Sequence, residues 1–151
     1  MDFRLTSTAF ADGANIPDTY TCKGENVSPT LGIVGVPKGT ASLALILHDP
    51  DATAGGDFLH WTVWNIPADT TVIDENTVPF GAAVGTNDFG AARYGGPCPP
   101  PGAQHHYVFD LYALDAAQLP LEAGAARHEL ENAMQGHVLA QTSLTGLFGA
   151  A

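Results

Sequence analysis

The sequence predicts a mostly β protein, a sandwich of strands covered at one end by a late helical region. Three segments alternate large and small or apolar and polar side chains with a period of two, the spacing of strands. Helical spacing of apolar residues occurs once, between about residues 122 and 140. Seventeen glycines and eleven prolines in 151 residues break the chain into many turns, which favours strands over long helices. That length predicts one domain, 1–151, burying roughly two-thirds of its unfolded surface.

The first strand is "ASLALILHD", residues 41–49, with Leu43, Leu45 and Leu47 on one face and Asp49 continuing it. A carboxylate is thereby delivered to the rim of a buried surface. An unpaired buried charge costs several kcal/mol, so Asp49 needs a donor. Pro50 and the Gly55-Gly56 pair then break the strand. The second strand, "LHWTVWNIP", ends at Pro67; strict alternation puts His60, Thr62 and Trp64 on one side and Trp61, Val63 and Asn65 on the other. Both sides are bulky, as in a strand covered on both faces. Residues 68–94 read as loop with short strand pieces.

Residues 105–114, "HHYVFDLYAL", are the third strand. His105, Tyr107, Phe109, Leu111 and Ala113 share one face, and His106, Val108, Asp110, Tyr112 and Leu114 the other. The adjacent histidines therefore cannot clamp one metal ion while the strand is regular. In "LEAGAARHELENAMQGHVLAQ", Ala126, Leu130, Ala133 and Met134 recur at helical spacing, with Gly136 as a stop or kink, in one piece or two. "TSLTGLFG" returns to strand.

Net charge is −11, which excludes nucleic acid as a partner and disfavours an anionic bilayer surface. Any anion must be held by local geometry against the global field. The N-terminal segment lacks the basic start and apolar run of a signal peptide, and no stretch approaches the roughly 20 apolar residues of a membrane span. The expectation is a soluble, cytoplasmic protein. The two cysteines, Cys22 and Cys98, are too few for a disulfide framework or a zinc site. Two readings stand: buried free thiols, or one bond across a long loop, which the chain-entropy model values at about 4–5 kcal/mol. A cytosolic setting favours thiols.

Chemistry gathers at strand ends. Asp49 closes one strand, His60 opens the next, and His105 with Tyr107 opens a third. Before the last lies "GGPCPPPG", where four prolines stiffen the backbone and remove donors, while Gly95, Gly96 and Gly102 allow sharp turns or close approach. A rigid wall beside two imidazoles and a phenol can hold a small oxyanion, with Asp49 orienting one imidazole.

"DPDA" at 49–52, "HWTVWNIP" at 60–67 and "GPCPPPGAQHHYVFDLYALD" at 96–115 together resemble the phosphatidylethanolamine-binding protein (Raf kinase inhibitor protein) family. "YTCKGENVSP" at 20–29 and "GHVLAQTSLTGLFG" at 136–149 resemble its short bacterial and archaeal branch. The resemblance implies a β-sandwich of antiparallel sheets. It also implies a surface pocket for an anionic group such as the phosphate of a phospholipid headgroup. On this chain the pocket would be made by Asp49, His60, His105 and Tyr107, walled by Ala52, Phe58, Gly96, Pro97, Pro99 and the neighbouring proline. Inhibition of a kinase or protease through this region is a further family association. Three positions depart from the family pattern: Thr53 replaces a loop proline, His48 an aspartate, and Phe148 an aromatic hydroxyl.

Catalysis lacks a convincing nucleophile. There is no G-x-S-x-G elbow, Ser28 and Ser42 have no activating neighbours in sequence, and Cys98 sits between prolines. A metal set of His60, His105 and Asp49 has no spacing signature, and no cofactor is implied. The expectation is a non-catalytic binding protein for a small anion or phosphorylated group. A protein-interaction module with a vestigial pocket is the competing reading, and a hydrolase using Cys98 or the Asp49/His60 pair a third. Oligomeric state is left open, with a dimer allowed.

Overall fold

The computed structural model describes residues 2–52 and 56–149. Thr53 and Gly55, singled out above, lie outside the described residues. Among the described residues, eight strands run in chain order: β1 (Arg4–Thr6), β2 (Leu31–Val34), β3 (Ser42–Asp49), β4 (Phe58–Pro67), β5 (Val72–Ile73), β6 (Ala83–Val84), β7 (Gln104–Leu114) and β8 (Val138–Gly149). An α-helix, α1 (Arg127–Met134), precedes β8, and a 3-10 turn occupies Asp18–Tyr20. A three-stranded sheet, β1-β2-β5, faces a five-stranded one, β6-β4-β3-β7-β8, and all pairings between these strands are antiparallel.

The alternation in β3 and β7 explains the core. Leu43, Leu45 and Leu47 lie opposite Ala113, Leu111 and Phe109, and with Trp61, Val63 and Ile66 they pack against Leu5, Leu31, Ile33 and Ile73 of the small sheet. The other face of the large sheet is also covered: Ala44, Ile46, Leu59, Trp64 and Leu114 pack on Leu119, Leu130 and Met134. Two apolar faces account for the near-continuous burial of β3 and β4.

Three expectations change. Helix is confined to Arg127–Met134, and Gly136 at φ +82° marks where the chain turns back. Val138 to Gln141, expected near the helix end, pair instead with Leu114 to Tyr112 as the start of β8. Long-range ladder bonds outweigh local helix preference there. Finally, β4 does not alternate strictly. Its pairing with β3 slips between Leu43 and Leu45 and again between Leu47 and His48. The first slip contains Asn65, at φ +57°, so Ile66 rather than Asn65 joins Trp61 and Val63 in the main core. The second is at His60. Leu59 faces the helix side while Trp61 faces the main core, and His60, the extra residue, turns to the Trp61 side.

Candidate functional site

In the order β4-β3-β7, antiparallel pairing sets the C-terminal end of β3 beside the N-terminal ends of both neighbours. Asp49, Phe58, His60, His105 and Tyr107 therefore converge although 58 positions separate the first from the last. They line one cavity of about 180 Å³, together with Ala52, Phe89, Cys98, Pro99 and Pro100. The His60 bulge is what makes the convergence complete. On a regular strand its ring would share the Thr62 and Trp64 side, away from Tyr107.

Tyr107 lies between the two imidazoles, its ring centroid 5.3 Å from that of His60, edge-on, and 6.4 Å from that of His105, stacked. Each histidine is held by its Nδ1. His105 Nδ1–H donates to Asp49 Oδ2 at 2.6 Å, and Asp49 Oδ1 accepts the Asp51 N–H at 2.8 Å. Asp49 is only 4% exposed, so these donors are what permit a carboxylate there. His60 Nδ1–H donates to the Gly95 carbonyl at 2.6 Å. A carbonyl can only accept, so the proton of neutral His60 is on Nδ1 and its Nε2 carries a lone pair. Neither ring's Nε2 nor the Tyr107 hydroxyl has a hydrogen-bond partner among the described residues.

Burial holds the His60 imidazole below the ordinary histidine value, against the opposing pull of the Gly95 carbonyl and the Asp49 charge. Burial, then the charges of Asp49 and Asp51, push the Tyr107 phenol well above its ordinary value. At neutral pH the cavity thus presents a neutral phenol and an uncharged His60. Phe58 and Phe89 close one side, edge-on to each other at 4.8 Å between ring centroids; Phe89 meets His60 edge-on at 5.5 Å and Phe58 meets it tilted at 5.0 Å. A second Asp–His pair secures the rim, where Asp51 Oδ2 accepts from both the backbone and Nδ1 of His106 at 2.7 Å.

Gly96 and Pro97 do not reach this cavity. Gly96 N–H donates to Asn26 Oδ1 at 2.8 Å, and the Pro97 carbonyl accepts from Cys22 N–H at 3.1 Å. With the Tyr94 hydroxyl on the Tyr20 carbonyl, they fasten the proline loop to residues 20–26. The cysteines are not free thiols: Cys22 and Cys98 form a disulfide across the same junction. A Cys98 nucleophile is thereby removed as a reading of this state. Sequence spacing does not mark Phe89 as a lining residue, because its neighbours "NDFG" signal only a turn; an aromatic inside such a turn is the available clue.

The two-sheet sandwich thus carries, at the junction of its three central strands, a small cavity with apolar walls and four polar side chains, Asp49, His60, His105 and Tyr107. The family model for phosphatidylethanolamine-binding protein matches residues 6–149, and the chain belongs to that family. The UPF0098 protein of Methanothermobacter thermautotrophicus is 48% identical over 149 residues, 95% of this chain and 97% of the relative. Among solved structures, the phosphatidylethanolamine-binding protein homolog CT736 from Chlamydia trachomatis superposes with a TM-score of 0.92 at 38% identity, covering 99% of this chain and 98% of the other. YbcL of Escherichia coli superposes at 0.93 with 34% identity over the whole of both chains. Among the described residues no helix is long and apolar enough to cross a membrane.

Proposed function

We propose that the protein is a non-catalytic binding protein whose cavity takes a small oxyanion or phosphorylated group, as in a phospholipid headgroup or a free phosphomonoester. The observation that carries this reading is the pair of imidazoles fixed through Nδ1, with both Nε2 atoms and the Tyr107 hydroxyl left without partners among the described residues around one hollow. The size fits a headgroup-sized ligand, since about 180 Å³ falls below the roughly 300–1,000 Å³ of sites for drug-sized molecules. A kinase or protease as regulatory partner accords with the family resemblance.

The tautomer gives the reading a specific consequence. Neutral His60 offers a lone pair, so an oxyanion needs one proton between itself and Nε2, either its own or one taken up by the ring. A phosphomonoester loses its second proton near pH 6. Binding of the dianion then takes up about one proton, and affinity should fall by up to about tenfold per pH unit above neutrality.

The test is titration with inorganic phosphate at pH 6, 7 and 8, following the histidine resonances by NMR. The expected result is a shift of both His60 and His105 and an affinity that weakens with rising pH. If neither resonance moves at any pH, the cavity is not an anion site.

The interaction-module reading draws on Phe80, which is fully exposed at the tip of the turn before β6. It predicts partner capture that survives His105→Ala and fails in Phe80→Ser.

A further inference from the structure

A second cavity, of about 220 Å³, adjoins the first. Phe89 and Cys98 line both and form the ridge between them. The two hollows differ in chemistry. The first presents imidazoles and a phenol; the second is lined by Asn26, Asn87, Arg93 and Tyr94 among others.

Arg93 is one of five basic residues in a chain of net charge −11. Among the described residues its guanidinium forms no ion pair, whereas Arg127 holds both Asp57 and Glu131. Asn26 uses its Oδ1 on the Gly96 N–H, which leaves its amide NH₂ as a donor with no partner among the described residues. Asn87 is fully engaged. Its Nδ2 donates to the carbonyls of Arg93 at 2.7 Å and His60 at 3.4 Å, and its Oδ1 accepts from the N–H groups of Phe89 and Ala91. One buried amide thus fixes the ridge, the backbone that carries Arg93, and the bulge that aims His60.

We propose that the two cavities form one bipartite site for a small phosphorylated carboxylic acid, with the phosphate in the first cavity and the carboxylate on Arg93. The proposal rests on the anion-pocket reading above and specifies its ligand. The guanidinium fork matches a carboxylate with two parallel bonds. Phe89 and Cys98 are the residues common to both linings, so the ligand has only this ridge to cross. A ligand with a cationic second end, such as phosphoethanolamine, would set its ammonium against Arg93 and is disfavoured.

The test compares inorganic phosphate, phosphoethanolamine and 3-phosphoglycerate by calorimetric titration of the wild type, Arg93→Gln and Arg93→Lys. Arg93 is exposed, so the variants should fold. The wild type should bind 3-phosphoglycerate about tenfold more tightly than phosphoethanolamine, the size of one charge-assisted hydrogen bond. Arg93→Gln should abolish that preference while leaving phosphate affinity unchanged, and Arg93→Lys should retain part of it. An unchanged preference in Arg93→Gln overturns the proposal, as does an equal loss for phosphate and 3-phosphoglycerate, which would mark a long-range charge effect. Either result leaves the anion pocket standing. No binding of phosphate or 3-phosphoglycerate to the wild type would remove both readings together.

Discussion

Replacing both cysteines, Cys22→Ser with Cys98→Ser, should lower the melting temperature by about 10–15 °C. The bond closes a loop of 76 positions. In the chain-entropy model such a closure removes about 15 cal/mol/K from the unfolded chain, or about 4.5 kcal/mol near room temperature. At about 2.1 cal/mol/K per residue, unfolding 151 residues carries an entropy of about 0.3 kcal/mol/K. The quotient is about 14 °C. Little native structure should be lost with the bond. The Cys22 amide on the Pro97 carbonyl, the Tyr94 hydroxyl on the Tyr20 carbonyl and the Gly96 amide on Asn26 still join the two segments. The assay is scanning calorimetry of the oxidised wild type against the double variant, with the wild type under reductant as a second arm. A fall smaller than about 4 °C in both arms would refute the entropic reasoning, because the crosslink would then not restrain the unfolded chain.

Tyr107→Phe removes a hydroxyl that has no partner among the described residues, so stability should change by less than about 0.5 kcal/mol while phosphate affinity falls about three- to tenfold; equal affinity would take the phenol out of the site. Gly96→Ala should cost about 1–3 kcal/mol in urea unfolding, because a Cβ would collide with the Tyr20 carbonyl and approach Asn26 Oδ1 at 2.5 Å. A neutral result would mean that the 20–26 junction gives way. On the opposite face, His48 donates one ring N–H to Asp110 and the other to Asp57, each at 2.9 Å. The Asp110 bond, then that of Asp57, hold its imidazolium above the ordinary histidine value despite burial. A raised folded pKa means stability that is complete below about pH 6.5 and lost as pH rises through the raised value. The urea midpoint of the wild type should therefore fall from pH 6 to pH 9 relative to His48→Gln, and parallel profiles would contradict this.

Much of the framework was legible because burial writes itself into a period of two. Leu43, Leu45 and Leu47 in β3 and Tyr107, Phe109 and Leu111 in β7 face one core, and their alternation needs no partner to be read. The same alternation carried Asp49 and the His105–Tyr107 pair to strand ends on that face. Proline and glycine spacing located the stiff loop before β7. What alternation cannot reveal is a slip in pairing. His60 reaches its neighbours through an extra residue in β4, and that bulge exists only in register with β3. The same limit applies to the start of β8, whose strand state comes from bonds to β7, and to the small sheet, whose strands of two to four residues are too short to show a period. The roles of Gly96, Pro97 and the two cysteines depend on residues seventy or more positions away, a distance over which local preference carries no information. The amino-acid order decided which groups stand at strand ends; the folded pairing decided which way each one points and what holds it there.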